Sequence, residues 1–108
     1  MTGCATQVTI PAGAPVAPSA PLTLTVTTNL DETATLTWPV AVGGAAVSFY
    51  RVDRDGDAYA NRYATVSAST CAVTCSYSDV NRSAGHSYYV TAVTSGLEES
   101  APTGPTSG

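Results

Sequence analysis

Apolar and polar residues alternate along this chain in short runs separated by glycine, proline, asparagine and aspartate, and nothing in it repeats with a helical period. Leu22-Thr23-Leu24-Thr25-Val26-Thr27 alternates strictly and reads as a first strand. Asn29 to Glu32 then supplies turn residues. Thr33 to Trp38 reads as a second strand with Leu36 and Trp38 facing inward, stopped by Pro39. After a Gly43-Gly44 loop, Val47 to Asp53 reads as a third. Asp55-Gly56 is a tight-hairpin signal and predicts a return strand near Ala58 to Ser67. Val73 to Asp79 and His86 to Ser95 read as two more strands, and Ser100-Ala101-Pro102 opens a short edge strand. The pattern predicts an all-β fold: a seven-stranded antiparallel β-sandwich.

The flanks differ in composition. Residues 1–17 are rich in proline, alanine and glycine and read as a linker or N-terminal segment. Val8-Thr9-Ile10 within them could form a short strand, but prolines on both sides bar a continuous ladder. The domain is expected over residues 18–104, with 105–108 as tail.

At 108 residues the chain suits one domain with a single core. Hydrophobic residues make up 44% and charged ones 11%, which is a folding rather than a disordered composition. Eight acids against four arginines give a net charge of −4, which argues against nucleic-acid binding. There is no lysine, so Schiff-base, P-loop and isopeptide lysine chemistry are excluded. No apolar run is long enough to span a membrane, and no signal peptide precedes the domain. Either Met1 is native, or an export segment once lay upstream.

Several motifs together resemble a fibronectin type III domain, and the resemblance covers residues 18–104. Pro18 and Pro21 precede the first strand; Leu36 and Trp38 form Leu-x-Trp on the second; Tyr50 and Val52 form Tyr-x-Val on the third, before Asp55-Gly56. Tyr77 and Asp79 form Tyr-x-Asp, and Val90 to Val93 with Glu98 to Ser100 match the closing pattern. The resemblance implies an immunoglobulin-like sandwich with Leu36, Trp38, Tyr50, Val52, Val90 and Ala92 in its core. The family places a tyrosine six residues before the alanine of the last long strand, forming a corner that bonds back to nearby backbone. Here that position is His86, whose imidazole could serve as a different donor. The Asp-Gly hairpin and cysteine-containing loop resemble domains of actinobacterial surface proteins, including pilin-like ones.

Candidate chemistry is sparse. His86 is the only histidine, and catalysis would need a nucleophile or carboxylate beside it. Asp53, Asp55 and Asp57 suggest calcium, but an EF-hand has glycine at position six and glutamate at twelve. Here Gly56 falls fourth and Ala64 twelfth, so a solvated hairpin tip is the expectation and no metal or other cofactor is assigned. Cys71 and Cys75 lack the spacing of zinc or redox motifs and read as a disulfide, which implies an oxidising compartment. Thr2-Gly3-Cys4-Ala5 resembles the end of a lipobox, so Cys4 is a candidate for lipidation or an intermolecular bond. The threonine-rich strands could form a sugar- or ice-binding face, although threonine also simply suits a solvent-facing strand. Tyr59, Tyr63 and Tyr89, with Arg51 and Arg62 nearby in sequence, carry residue types enriched in binding hot spots.

These observations point to a non-catalytic module outside the cell or on its surface. Its expected work is adhesion, spacing or assembly, with other protein domains or copies of itself as partners, and a pilus or filament subunit as one version. A phage virion decoration protein, if Met1 is native, and a carbohydrate-binding accessory module of a secreted hydrolase are the alternatives.

Overall fold

The computed structural model describes residues 17–80 and 85–107; Cys4, Val8-Thr9-Ile10 and Gly108 lie outside the described residues. Seven strands follow in order: β1 (Thr25–Thr28), β2 (Ala34–Pro39), β3 (Phe49–Arg54), β4 (Arg62–Ser67), β5 (Thr74–Asp79), β6 (Ser87–Val93) and β7 (Thr103–Ser107). They form two antiparallel sheets, one ordered β1-β2-β5 and the other β4-β3-β6-β7. The fold is the all-β sandwich that the alternating pattern predicts.

Alternation decides which face each residue joins, because successive strand side chains point to opposite sides of a sheet. On β2, Ala34, Leu36 and Trp38 are buried while their neighbours are half-exposed. Tyr50 and Val52 from β3 meet them from the opposite sheet, with Tyr88, Val90 and Ala92 from β6. The Trp38 and Tyr50 rings meet edge to face, with centroids 5.7 Å apart. All six expected core residues are 1% exposed or less, which places the shared centre of both sheets at Trp38.

At one end Asp79 fastens the sheets together. This fully buried β5 carboxylate accepts hydrogen bonds from Arg54 Nη1 at 3.0 Å, the Tyr63 hydroxyl at 2.9 Å and the Tyr88 hydroxyl at 2.6 Å. Its three partners lie on β3, β4 and β6 of the other sheet. At the opposite end the chain enters beside the β2–β3 connection, where Pro18 bridges Gly44. A Cβ at Gly44 would stand 2.7 Å from the Ser19 amide nitrogen, so that approach requires glycine.

The boundaries differ from the sequence expectation in three places. Pairing in β1 begins at Thr25, and Leu22 is exposed before it, because its register with β2 starts at Thr25–Thr37. Asp55-Gly56 does not make a two-residue hairpin. Asp55 takes the left-handed conformation (φ 65°), and the connection runs on through a 3₁₀ turn at Tyr59–Asn61 before β4 begins at Arg62. The last edge strand is shifted: Ser100-Ala101-Pro102 precedes it, β7 opens at Thr103, and it continues past Pro105 into the expected tail, where Thr106 and Ser107 pair with Tyr88 and Ser87. Gly104 permits this, since a Cβ there would lie 2.5 Å from the Tyr88 carbonyl oxygen.

Candidate functional site

The outer face of β3 is buried, which simple alternation does not predict. Arg51 and Asp53 point away from the core, yet Arg51 is 4% exposed and Asp53 fully buried. Two segments cover them. The long β3–β4 connection carries Tyr59 over the sheet, and the β6–β7 turn brings Glu99 in from the other side. A groove of about 570 Å³ lies between, lined among others by Phe49, Arg51, Tyr59, Thr65, Leu97 and Glu99.

Register places the floor. Arg51 sits opposite Thr65 of β4 and Thr91 of β6, and in the next row Phe49 sits opposite Val93. The Arg51 guanidinium grips Asp53 through Nε (2.9 Å) and Nη2 (3.2 Å), and Glu99 through Nη1 (2.8 Å). Arginine has five N–H donors in a fixed fork, so one hydrogen on each terminal nitrogen is unspent among the described contacts. Thr91 is also buried there with its hydroxyl unpartnered. Burial holds the Asp53 carboxyl above its ordinary range even with Arg51 beside it. Burial works against the charged guanidinium too, but the Asp53 and Glu99 contacts outweigh it and raise the Arg51 pKa.

Tyr59 forms the wall and is 62% exposed. Arg62 lies 4.0 Å from its ring centroid and donates to the Tyr59 carbonyl at 3.0 Å; Arg51 lies 5.4 Å from the same ring. Across the groove the β6–β7 turn is held by Thr94, whose hydroxyl donates to Glu98 Oε1 at 2.6 Å and accepts from the Glu98 amide at 3.1 Å. That turn puts Leu97 in the left-handed conformation (φ 70°) and leaves it 70% exposed on the groove rim.

The residues singled out from sequence fall in different places. Tyr59, Arg51 and Arg62 come together. Tyr63 reaches the groove with its ring while its hydroxyl serves the Asp79 clasp, and Tyr89 lies on the Asp53 row. Among the described residues His86 makes no corner bond to backbone. Its Nδ1 lies 2.7 Å from Asp55 Oδ2, because Asp55 turns its side chain back toward the start of β6 and also accepts from the Ser87 amide. The three aspartates do not converge: Asp53 serves Arg51 and Asp55 serves His86. Among the described residues no group of three or more His, Cys, Asp or Glu side chains is placed to hold a metal ion.

Cys71 and Cys75 form the disulfide, with Cα atoms 4.8 Å apart, closing the turn that leads into β5. The threonines of β1 and β2 line up with β5 serines in two rows on the outer face of the three-stranded sheet, Thr25-Thr37-Ser76 and Thr27-Thr35-Ser78. No described helix is long and apolar enough to cross a membrane.

Sequence reasoning missed Phe49, Leu97 and Glu99 as members of one site. The Arg51–Asp53 pair was open to reading, since residues two apart on a strand share a face. Glu99 is 48 residues from Arg51, and no local pattern announces their meeting. Comparison with protein-family models and with curated proteins finds no match for this chain.

Proposed function

We propose that this chain is a non-catalytic, extracellular or cell-surface sandwich module of the fibronectin type III kind, acting in adhesion, spacing or assembly. The Cys71–Cys75 disulfide carries the assignment to an oxidising location, because such bonds persist outside the cytosol and rarely within it. The strand orders β1-β2-β5 and β4-β3-β6-β7, with Trp38 on the second strand, support the family reading. The described chain enters beside Gly44 and leaves through β7 beside Ser87, at opposite ends of the sandwich, which suits a spacer joined in series. Its buried charges are mostly spent on one another, Arg51 on Asp53 and Glu99, and Arg54 on Asp79.

An antibody raised against the folded domain tests the location. It is expected to label intact producing cells, or purified virions for the phage version, as strongly as lysed ones. Labelling confined to lysed cells would reject an extracellular role. The accessory-module version gains one specific support, the aromatic-walled groove at Tyr59.

A further inference from the structure

We propose that the Tyr59 groove is a binding site for a neutral sugar ring, within a glycan that the module adheres to. The inference rests on the reading of the chain as a surface module only in naming adhesion as the purpose; the site stands on its own geometry. The groove's volume, about 570 Å³, falls in the range of small-ligand pockets. Phe49 and Val93, opposite each other on β3 and β6, give it an apolar floor, and Tyr59 offers a wall that is 62% exposed. A pyranose has an apolar C–H face and a rim of hydroxyls that both donate and accept. The groove matches both parts. Tyr59, mostly exposed although Arg62 lies 4.0 Å from its ring centroid, receives the face. Glu99, about half-exposed with one oxygen on Arg51, accepts with the other, and Arg51 beneath it, nearly buried, has the two unspent hydrogens as the floor's donors.

Charge decides against an ion. Asp53 and Glu99 both pair with Arg51, and the two arginines and two acids of the site sum to zero formal charge, so it has no strong field to hold a phosphate, carboxylate or ammonium group. Position decides against an extended peptide. Such ligands add to a sheet edge through free backbone groups; the groove's rim reaches the outer strand β4, but its floor of Phe49, Arg51 and Val93 lies on β3 and β6, which are paired on both sides.

The test is an amide-resolved NMR titration of the full chain with neutral trisaccharides of glucose, mannose and N-acetylglucosamine, and with a proline-rich peptide for comparison. At least one sugar is expected to shift the amides of Tyr59, Thr65, Leu97 and Glu99 together and saturably. Tyr59→Ala should weaken that binding by about tenfold, the size of one lost aromatic contact. Its ring is mostly exposed, so the rest of the spectrum should stay unchanged. Glu99→Gln, which keeps the shape and removes the charged acceptor, should weaken it as well. No saturable shift with any of the three sugars overturns the proposal, as do shifts away from the groove or a response to the peptide alone. Failure here leaves cell-surface labelling untouched, and failed labelling leaves sugar binding untouched, so the two readings fall separately.

Discussion

Trp38 shows how much can hang on one side chain in a molecule of this size. It is 1% exposed, sits edge-on to Tyr50, and belongs to the cluster that both sheets share. Truncating such a residue removes its transfer free energy and leaves a cavity, together about 3–5 kcal/mol. A domain this small holds about 5–15 kcal/mol in all. Trp38→Ala should therefore be marginal or unfolded by thermal melting, and an unchanged Tm would contradict its central position. Asp79 carries comparable weight for a different reason. Removing its fully buried carboxylate takes away an acceptor shared by Arg54 and two tyrosine hydroxyls at the sheet junction, and losing one partner of a buried charge pair is strongly destabilising. Asp79→Ala should lower Tm far more than Asp55→Ala, whose carboxylate is half-exposed. Asp55 has its own signature in pH. Burial pushes its pKa up, but the His86 and Ser87 hydrogen bonds outweigh that and leave it lowered. A lowered acid stabilises the fold above its unfolded pKa and loses that contribution as pH falls through the folded one. Asp55→Asn should therefore flatten part of the loss of stability below the ordinary aspartate range, as read by denaturant melts in acid. Equal slopes for the two proteins would show that the His86 contact contributes nothing.

At the scale of elements, legibility followed the range of the interactions. β2, β3, β5 and β6 were readable because each buries alternate residues against the opposite sheet, and that period of two is written locally in Leu36-x-Trp38 and Tyr50-x-Val52. The connections were less readable. Asp55-Gly56 resembles a tight turn, but the chain spends seven residues between Arg54 and Arg62 so that Tyr59 can lie over Arg51. β7 was shortened in the reading because Pro105 suggests a tail, whereas an outermost strand tolerates proline. The candidate groove was legible only in its parts. Tyr59, Arg51 and Arg62 are near one another in sequence, but Leu97 and Glu99 arrive from a turn whose position depends on the whole β6–β7 pairing. The Cys71–Cys75 turn was the one long-lived link that local spacing did announce. Closing so small a loop stabilises by about 2 kcal/mol on the chain-entropy account. Thiol titration of denatured, unreduced protein should find at most one reactive group per chain, Cys4, and reduction should lower Tm by several degrees without abolishing the fold. Three reactive groups would reject the bond and weaken the extracellular reading with it.

For the whole molecule, the direction of the chain through the sandwich has a mechanical consequence. The first described residues sit beside Gly44 at one end, and β7 runs to Ser107 at the other. Tension between the chain ends therefore pulls β1 and β7 along their own axes, in opposite senses. The backbone hydrogen bonds that tie β1 to β2 and β7 to β6 are then loaded together, in shear. Tension applied at the β1–β2 turn and the C-terminus acts at a single end of the sandwich, where the same ladders open one bond at a time. A spacer that carries load needs the first geometry, since forced unfolding is governed by the height of the unfolding barrier. Single-molecule pulling should give a clearly higher rupture force with handles before β1 and after β7 than with handles at the exposed Leu30 and after β7. Reducing the Cys71–Cys75 bond should leave the rupture force of the first pull nearly unchanged. The bond closes a loop of only a few residues and spans neither loaded ladder, so reduction should add only about 10 Å to the released length, given about 3.3–3.6 Å per extended residue. Equal rupture forces in the two pulling directions would remove the mechanical argument for a spacer and leave binding through the faces and edges as the module's work.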